Sequence, residues 1–213
     1  VGNKRLRCGY PTGTCAAAAT VGAVRLLLTG ETLPAVRVDT PAGIAVEAQL
    51  LEHAAGANWA SCAVRKDGGD DPDVTNGTLI VARVEKTDTP GVTIDGGTGV
   101  GRVTRPGLDQ PVGEAAINST PRRMIRQQAE EEAVRAGYTG GLQVTISVPE
   151  GEALADHTFN PRLGIEGGIS ILGTSGIVRP MSEAALIDSL YLEQDMAKAA
   201  GVTDLLVTPG NYG

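Results

Sequence analysis

Thr12-Gly-Thr-Cys-Ala-Ala-Ala-Ala-Thr-Val-Gly-Ala-Val-Arg-Leu-Leu-Leu28 (TGTCAAAATVGAVRLLL) is the stretch on which the fold turns. From Cys15 to Leu28 it is almost wholly apolar, with Arg25 its single charge, and Gly30 ends it as a helix would be ended. A helix apolar on most of its faces belongs at the centre of a core, not on a surface. Its start has two open readings. Thr12 or Thr14 caps the first turn, or the free amides beside Gly13 and the two hydroxyls hold an anion or carboxylate. The segment lacks the charged start and cleavage site of a signal peptide, and no apolar run reaches the ~20 residues of a membrane span. We therefore expect no membrane partner.

Downstream, the pattern turns to β-structure. Val36–Asp39 and Gly43–Leu51 read as a hairpin turned near Thr40-Pro41, with strands at Trp59–Val64, Thr78–Val84, Val92–Ile94 and Leu142–Val148. Thr120 as cap and Pro121 at the first helical position open a helix to about Ala136, and Ser182 opens another to about Ala200. The chain closes on an expected strand, Asp204–Thr208, and a glycine loop. The fold class that follows is α+β. Mixed, largely antiparallel sheets pack with about three main helices over residues 1–181, and residues 182–213 form a linking helix and the first strand of a truncated C-terminal α/β domain.

Composition excludes several functions. The formal charge of −7 argues against nucleic acid as a partner. One phenylalanine and one tryptophan leave few platforms for base stacking. Cys8, Cys15 and Cys62 have no ligand spacing, which points to reduced thiols in a cytoplasmic protein with no disulfide framework and no protein-bound metal. Against the acidic background, Arg102, Arg105, Arg122, Arg123 and Arg126 face only Asp109 and Glu114 in their own segment. A polyanionic small molecule and a solvated face both fit that pattern. Arg122 and Arg123 also fall in the first turn of their helix, where the macrodipole disfavours cations, so they need an internal acid or an anionic ligand.

Three loops carry candidate chemistry. Lys66–Thr75 (KDGGDDPDVT) concentrates aspartates without EF-hand register, and a structural turn, hydroxyl contacts and a cation all remain open. Asp95–Gly101 (DGGTGVG) resembles a nucleotide loop but fails the G-x-G-x-x-G register, because Arg102 stands at the third glycine. Thr158–Glu183 carries Gly164, Gly167, Gly168, Gly173 and Gly176, a density that fits unusual backbone conformation or close approach by a partner, with a glycine-rich connection between two strands as the alternative.

Taken together, TGTCAAAA (12–19), KDGGDDPDVT (66–75), GGTGVGRVTRPGL (96–108), VGEAAIN (112–118), TFNPRLGIEGGISILGTSGIVRPMS (158–182) and TPGNYG (208–213) resemble the cobalt-precorrin-5B C(1)-methyltransferase family, CbiD, over almost the whole chain. The resemblance implies methyl transfer from S-adenosylmethionine to ring carbon 1 of a cobalt-corrinoid, giving cobalt-precorrin-6A in anaerobic cobalamin biosynthesis. It also implies a C-terminal α/β domain beyond TPGN, and a start at Val1 fits a fragment. Such a fragment could be a non-catalytic tetrapyrrole or polyanion binder. Because the substrate bears many carboxylates, Lys66, Arg105, Arg122, Arg123, Arg162 and Arg179 are the expected substrate contacts. Asp95, Gly96, Gly97, Gly99 and Gly101, with Thr208, Gly210 and Asn211, are the expected cofactor contacts. Asp70, Asp71 or Glu114 would serve as a base. His157 is read as structural. A homo-oligomer, and hand-over from neighbouring pathway enzymes, are compatible with this reading.

Overall fold

The computed structural model describes residues 6–206. Helix α1 (Thr12–Thr29) is followed by strands β1 (Ala35–Asp39), β2 (Ala45–Gln49), β3 (Leu51–Ala55), β4 (Trp59–Arg65), β5 (Leu79–Thr87), β6 (Gly91–Gly96), β7 (Gly99–Val100) and β8 (Arg102–Val103). Then come α2 (Ser119–Arg135), β9 (Gly141–Ser147), α3 (Gly151–Ala155), β10 (Ile165–Glu166), β11 (Gly168–Ile169) and α4 (Glu183–Ala199). The class is α+β, as expected, with three long helices and one short one.

One five-stranded sheet, ordered β3-β4-β5-β9-β6, forms the frame, antiparallel except where β6 runs parallel to β9. Alternation along the strands decides which face is covered. Ala60, Cys62, Val64, Ile80, Ala82, Val84, Leu142, Val144 and Ile146 are fully buried on one face, where α1 and α2 lie. Partners on the other face, such as Arg83, which stacks on Trp59 at 3.9 Å and pairs with Glu85 at 2.8 Å, stay part-exposed.

Helix α1 sits at the centre of this arrangement, as its sequence requires. Thr12 through Val24 are all buried. Its small residues permit that depth: a methyl group on Gly22 would meet the Leu50 side chain at 2.7 Å and Cys62 Sγ at 2.8 Å. Burial pushes the Cys15 thiol up to about 12 and the Cys62 thiol to about 11, so neither is a nucleophile at neutral pH. Among the described residues α1 is the one helix long and apolar enough to cross a membrane, and it is 72% buried in the protein core.

Several expectations are corrected. Gly43–Leu51 is not one strand: β2 pairs only with β1, the chain crosses at buried Leu50, and β3 joins the edge of the large sheet through a register shift with Glu52 at φ 50°. Neither threonine caps α1 from the side, because Pro11 holds the cap position. Likewise α2 begins one residue before Thr120, and the Asp109 carboxylate caps it from a distant loop, accepting from Ser119 N–H at 2.9 Å and Ser119 Oγ at 2.6 Å. Asp204–Leu206 form no strand, and Thr208 lies outside the described residues.

Candidate substrate-binding site

The glycine-rich stretch 158–183 does bring backbones together, and the partner is the chain itself. β11 lies parallel to β7, β10 pairs with β8, and Ile171 bridges Ile117. A methyl on Gly168 would meet Gly99 O at 2.2 Å. Farther on, the stretch seats the start of α1. Gly13 N–H donates to Leu172 O at 2.8 Å, Leu172 N–H donates to Thr12 Oγ1 at 2.9 Å, and Thr14 Oγ1 donates to Gly176 O at 2.8 Å. These internal partners leave no anion site at the α1 start.

The loop of Gly96, Gly97, Gly99 and Gly101 is engaged in the same way. Gly96 N–H donates to Asp95 Oδ1, Gly97 N–H to Ile146 O, Val100 N–H to Gly97 O and Gly101 N–H to Ile169 O. Asp95 is gripped by Arg102 at 2.7 and 3.1 Å, which holds its carboxyl below the usual range. With the amides of Gly96, Gly97, Val100 and Gly101 and the acid already partnered, most of this loop is spent on the fold and little of it is left to cradle a nucleoside. Thr208, Gly210 and Asn211 lie outside the described residues.

The acidic loop is a self-satisfied turn. Lys66, only 3% exposed, pairs with Asp73 at 2.7 Å, and Asp73 also accepts from the Thr75 N–H and hydroxyl. Burial raises the Asp73 carboxyl, but these partners outweigh it and leave it lowered overall. Asp67 takes Arg7 in a fork at 2.6 and 2.7 Å. Asp70 accepts from Arg7 N–H and Asp71 from Met181 N–H, so both tie down flanking chain. Among the described residues no cluster of His, Cys, Asp or Glu could hold a metal ion.

The carboxyls of Asp67, Asp73, Asp95 and Asp109 are all lowered from 3.8. A lowered folded-state value gives stability that is present above the unfolded value and lost as pH falls through the folded one. Denaturant midpoints should therefore hold steady from neutrality to about pH 5 and drop below about pH 4. Asp73→Asn should flatten that acid slope.

Four of the six predicted cations divide between two cavities, and Lys66 and Arg179 lie in neither. Arg105 and Arg162 meet in a cavity of about 440 Å³, with Pro106 and Leu163 on one side and Glu193, Met196 and Ala197 of α4 on the other. Here the glycine signal has a local cause. Gly164 stands at φ 72°, and a methyl there would meet Arg105 Cγ at 2.6 Å, so the Arg105 stem lies across it. Arg162 lies 5.9 Å over the ring of Phe159, which is 65% exposed. Arg122, Arg123 and Arg126 line a second cavity of about 500 Å³ along α2, with Gln110 and Ser119. Arg122 is mostly committed internally, donating to Ile117 O, Ile94 O and Ala115 O and pairing with Glu114 at 3.4 Å. That meets the dipole objection with internal acceptors. Arg179 is exposed at the approach to α4, away from both cavities' linings.

The three acids do not converge. Asp71 holds Met181 at one end of α4, while Met196 near the other end abuts Gly107. At 1.5 Å per residue this places Asp70 and Asp71 roughly 20 Å from Arg105. Glu114, 52% exposed at the base of loop 104–112, stands beside Arg122. Phe159 and Gln110 were missed from the sequence, while Arg126 was read only as part of the basic segment; the TFNPR spacing places Phe159 three residues before Arg162 and could have flagged it.

The CbiD family model matches residues 1–180. A protein of Ruminiclostridium cellulolyticum named cobalt-precorrin-5B C(1)-methyltransferase is 51% identical over 99% of this chain and 54% of its own length. One of the same name from Pseudomonas paraeruginosa is 52% identical over 97% of this chain and 56% of its own length. A crystal structure of cobalamin biosynthesis protein (cbiD) from Archaeoglobus fulgidus superposes with a TM-score of 0.64 at 37% identity, covering 88% of this chain and 59% of that one. The chain thus spans about half the length of the curated relatives it matches.

Proposed function

This chain belongs to the CbiD family, and from that premise we propose that it acts in methylating ring carbon 1 of cobalt-precorrin-5B, with S-adenosylmethionine as donor, in the cytoplasm. The product would be cobalt-precorrin-6A. The observation that carries this is identity of about half across nearly the whole chain to proteins named for the reaction. Those names favour an enzyme over a non-catalytic tetrapyrrole binder.

The donor supplies an activated methyl, so the protein's task is alignment of that methyl with the ring carbon. Arg105 and Arg162 would pair with side-chain carboxylates of the corrinoid, while Phe159, Leu163 and Met196 offer apolar surface to the macrocycle. Arg179, at the other end of α4, is left without a role in that cleft. Lys66, buried on Asp73, is better placed to shape its loop than to touch a ligand. Removal of a ring proton falls to Glu114, which stands next to the arginine cavities, in preference to Asp70 or Asp71. The donor contacts fall to Thr208, Gly210 and Asn211, since the 96–101 loop has most of its amides engaged. Residues 182–213 would link to a C-terminal α/β domain.

Radiolabelled methyl appearing on cobalt-precorrin-5B tests the reading. Arg162→Ala should lower kcat/KM by about 10- to 100-fold, the loss of one charge-assisted contact. Unchanged kinetics would remove Arg162 from the site, and absence of label on the corrinoid with the wild-type protein would remove the reaction.

A further inference from the structure

The α2 cavity poses a problem that the Arg105–Arg162 cleft does not answer. Arg123 and Arg126 share one face of the first half of α2, and Arg123 stands just past its first turn, where the helix dipole gives a cation no support. Among the described residues neither has a carboxylate partner: Arg123 donates to Thr120 Oγ1 at 3.3 Å and Arg126 to Val92 O at 3.4 Å, both long contacts. The chain has 25 acidic residues against 18 basic, so the lack of a partner here is a local choice. Both cations face the 500 Å³ cavity, whose remaining wall is polar, with Glu130 the single acid in its lining and the amides of Gln110 and Gln127 donating to Asp109 and Glu131.

This cavity and the Arg105–Arg162 cleft flank the same loop. Loop 104–112 is pinned at its base, where Val103 N–H donates to Glu114 O at 3.0 Å and Gly113 N–H donates to Val103 O at 2.8 Å. Arg105 and Pro106 on one side line the cleft, and Gln110 on the other lines the α2 cavity. The five residue steps from Arg105 to Gln110 reach at most ~17 Å. Asp109, which could have neutralised the α2 side, instead accepts from Ser119 and Gln110.

We propose that the two cavities act as one bipartite grip on a single polycarboxylate ligand. The Arg105–Arg162 cleft holds one edge, and Arg123 and Arg126 hold carboxylates on another edge, with loop 104–112 between them. The proposal rests on the substrate reading above, because a tetrapyrrole with acetate and propionate arms presents oxyanions around its whole periphery. Arg122 is left out of the grip, since its guanidinium is already shared among main-chain carbonyls.

The test is calorimetric titration with cobyrinic acid, a corrin with free side-chain carboxylates, at two salt concentrations. Arg123→Gln/Arg126→Gln and Arg105→Gln/Arg162→Gln are measured separately and combined, with thermal melting to confirm folding. The expected result is one ligand per chain, an affinity loss of about tenfold or more in each double variant, a weaker salt dependence in both, and no binding in the combined variant. Arg123→Lys/Arg126→Lys should recover part of the loss. Wild-type affinity in the Arg123/Arg126 variant, or two ligands per chain, would overturn the grip while leaving the substrate reading in place. Failure of the wild type to bind cobyrinic acid would overturn both.

Discussion

Gly99→Ala is expected to destabilise the protein by about 4 kcal/mol or more, enough to abolish folding of a domain of ordinary stability. Two effects combine. Gly99 lies at φ 71°, which disfavours any side chain, and a methyl there would sit 1.8 Å from Val148 O and 3.0 Å from Gly151 N. Those neighbours are backbone and cannot swing aside. Gly151 and Gly168 press on Gly99 O from their own sides, at 2.1 and 2.2 Å for an added methyl, so relief in one direction closes another. The control is Gly167→Ala. Its φ is 79°, but an added methyl would meet nothing within 4 Å, so only the conformational term of about 1 kcal/mol applies. Chemical denaturation of the two variants separates crowding from backbone preference. Similar midpoints would show that β7, α3 and β11 do not meet as tightly as described.

The second large effect lies between the two helices that cover the sheet. Glu132 of α2 is 2% exposed and accepts from Arg25 Nε at 2.6 Å, while Arg135 takes its other oxygen. Arg25 is also joined by Glu31 at 3.2 Å. Arg25→Met would leave a buried carboxylate with half its partners, and we expect a loss of about 3 kcal/mol, at the lower end for a broken buried pair because Arg135 remains. Arg25→Met/Glu132→Leu should recover much of that loss, since the uncompensated charge goes with its partner. A double-mutant cycle by urea denaturation reads the coupling directly, and strictly additive effects would contradict the buried pair.

The core was legible because its cause is local. An apolar run closed by Gly30 fixes α1 at the centre, and period-two alternation at 142–148 fixes which face of β9 it meets. Features set by distant chain were not. Asp109 caps α2 across ten residues, and Arg122 finds three carbonyls that no spacing rule reveals. The glycine stretches show the same limit. Sequence alone announced close approach at 96–101 and 158–183 without identifying the partners: Gly99 and Gly101 meet Gly168, while Gly97 meets Ser147, Gly164 meets Arg105, Gly173 meets Pro11 and Gly176 meets Thr40. For the site, residue type told which cations to consider, but only the fold divides Arg105 and Arg162 from Arg123 and Arg126, or places Asp70 and Asp71 at the far end of α4.

The seat of α1 sets an order of events during synthesis. The helix that fills the core precedes nearly all the chain it packs against, yet its first turn is fastened by Leu172 and Gly176, and Gly9 pairs with Val178. During synthesis the central helix therefore waits for some 160 further residues before its last partners arrive. Contacts of that sequence separation slow folding and leave an apolar segment uncovered in the meantime. A nascent chain stopped short of Leu172 should stay protease-sensitive at Thr12–Leu28 and dependent on a chaperone, and release past Val178 should end both conditions in one step.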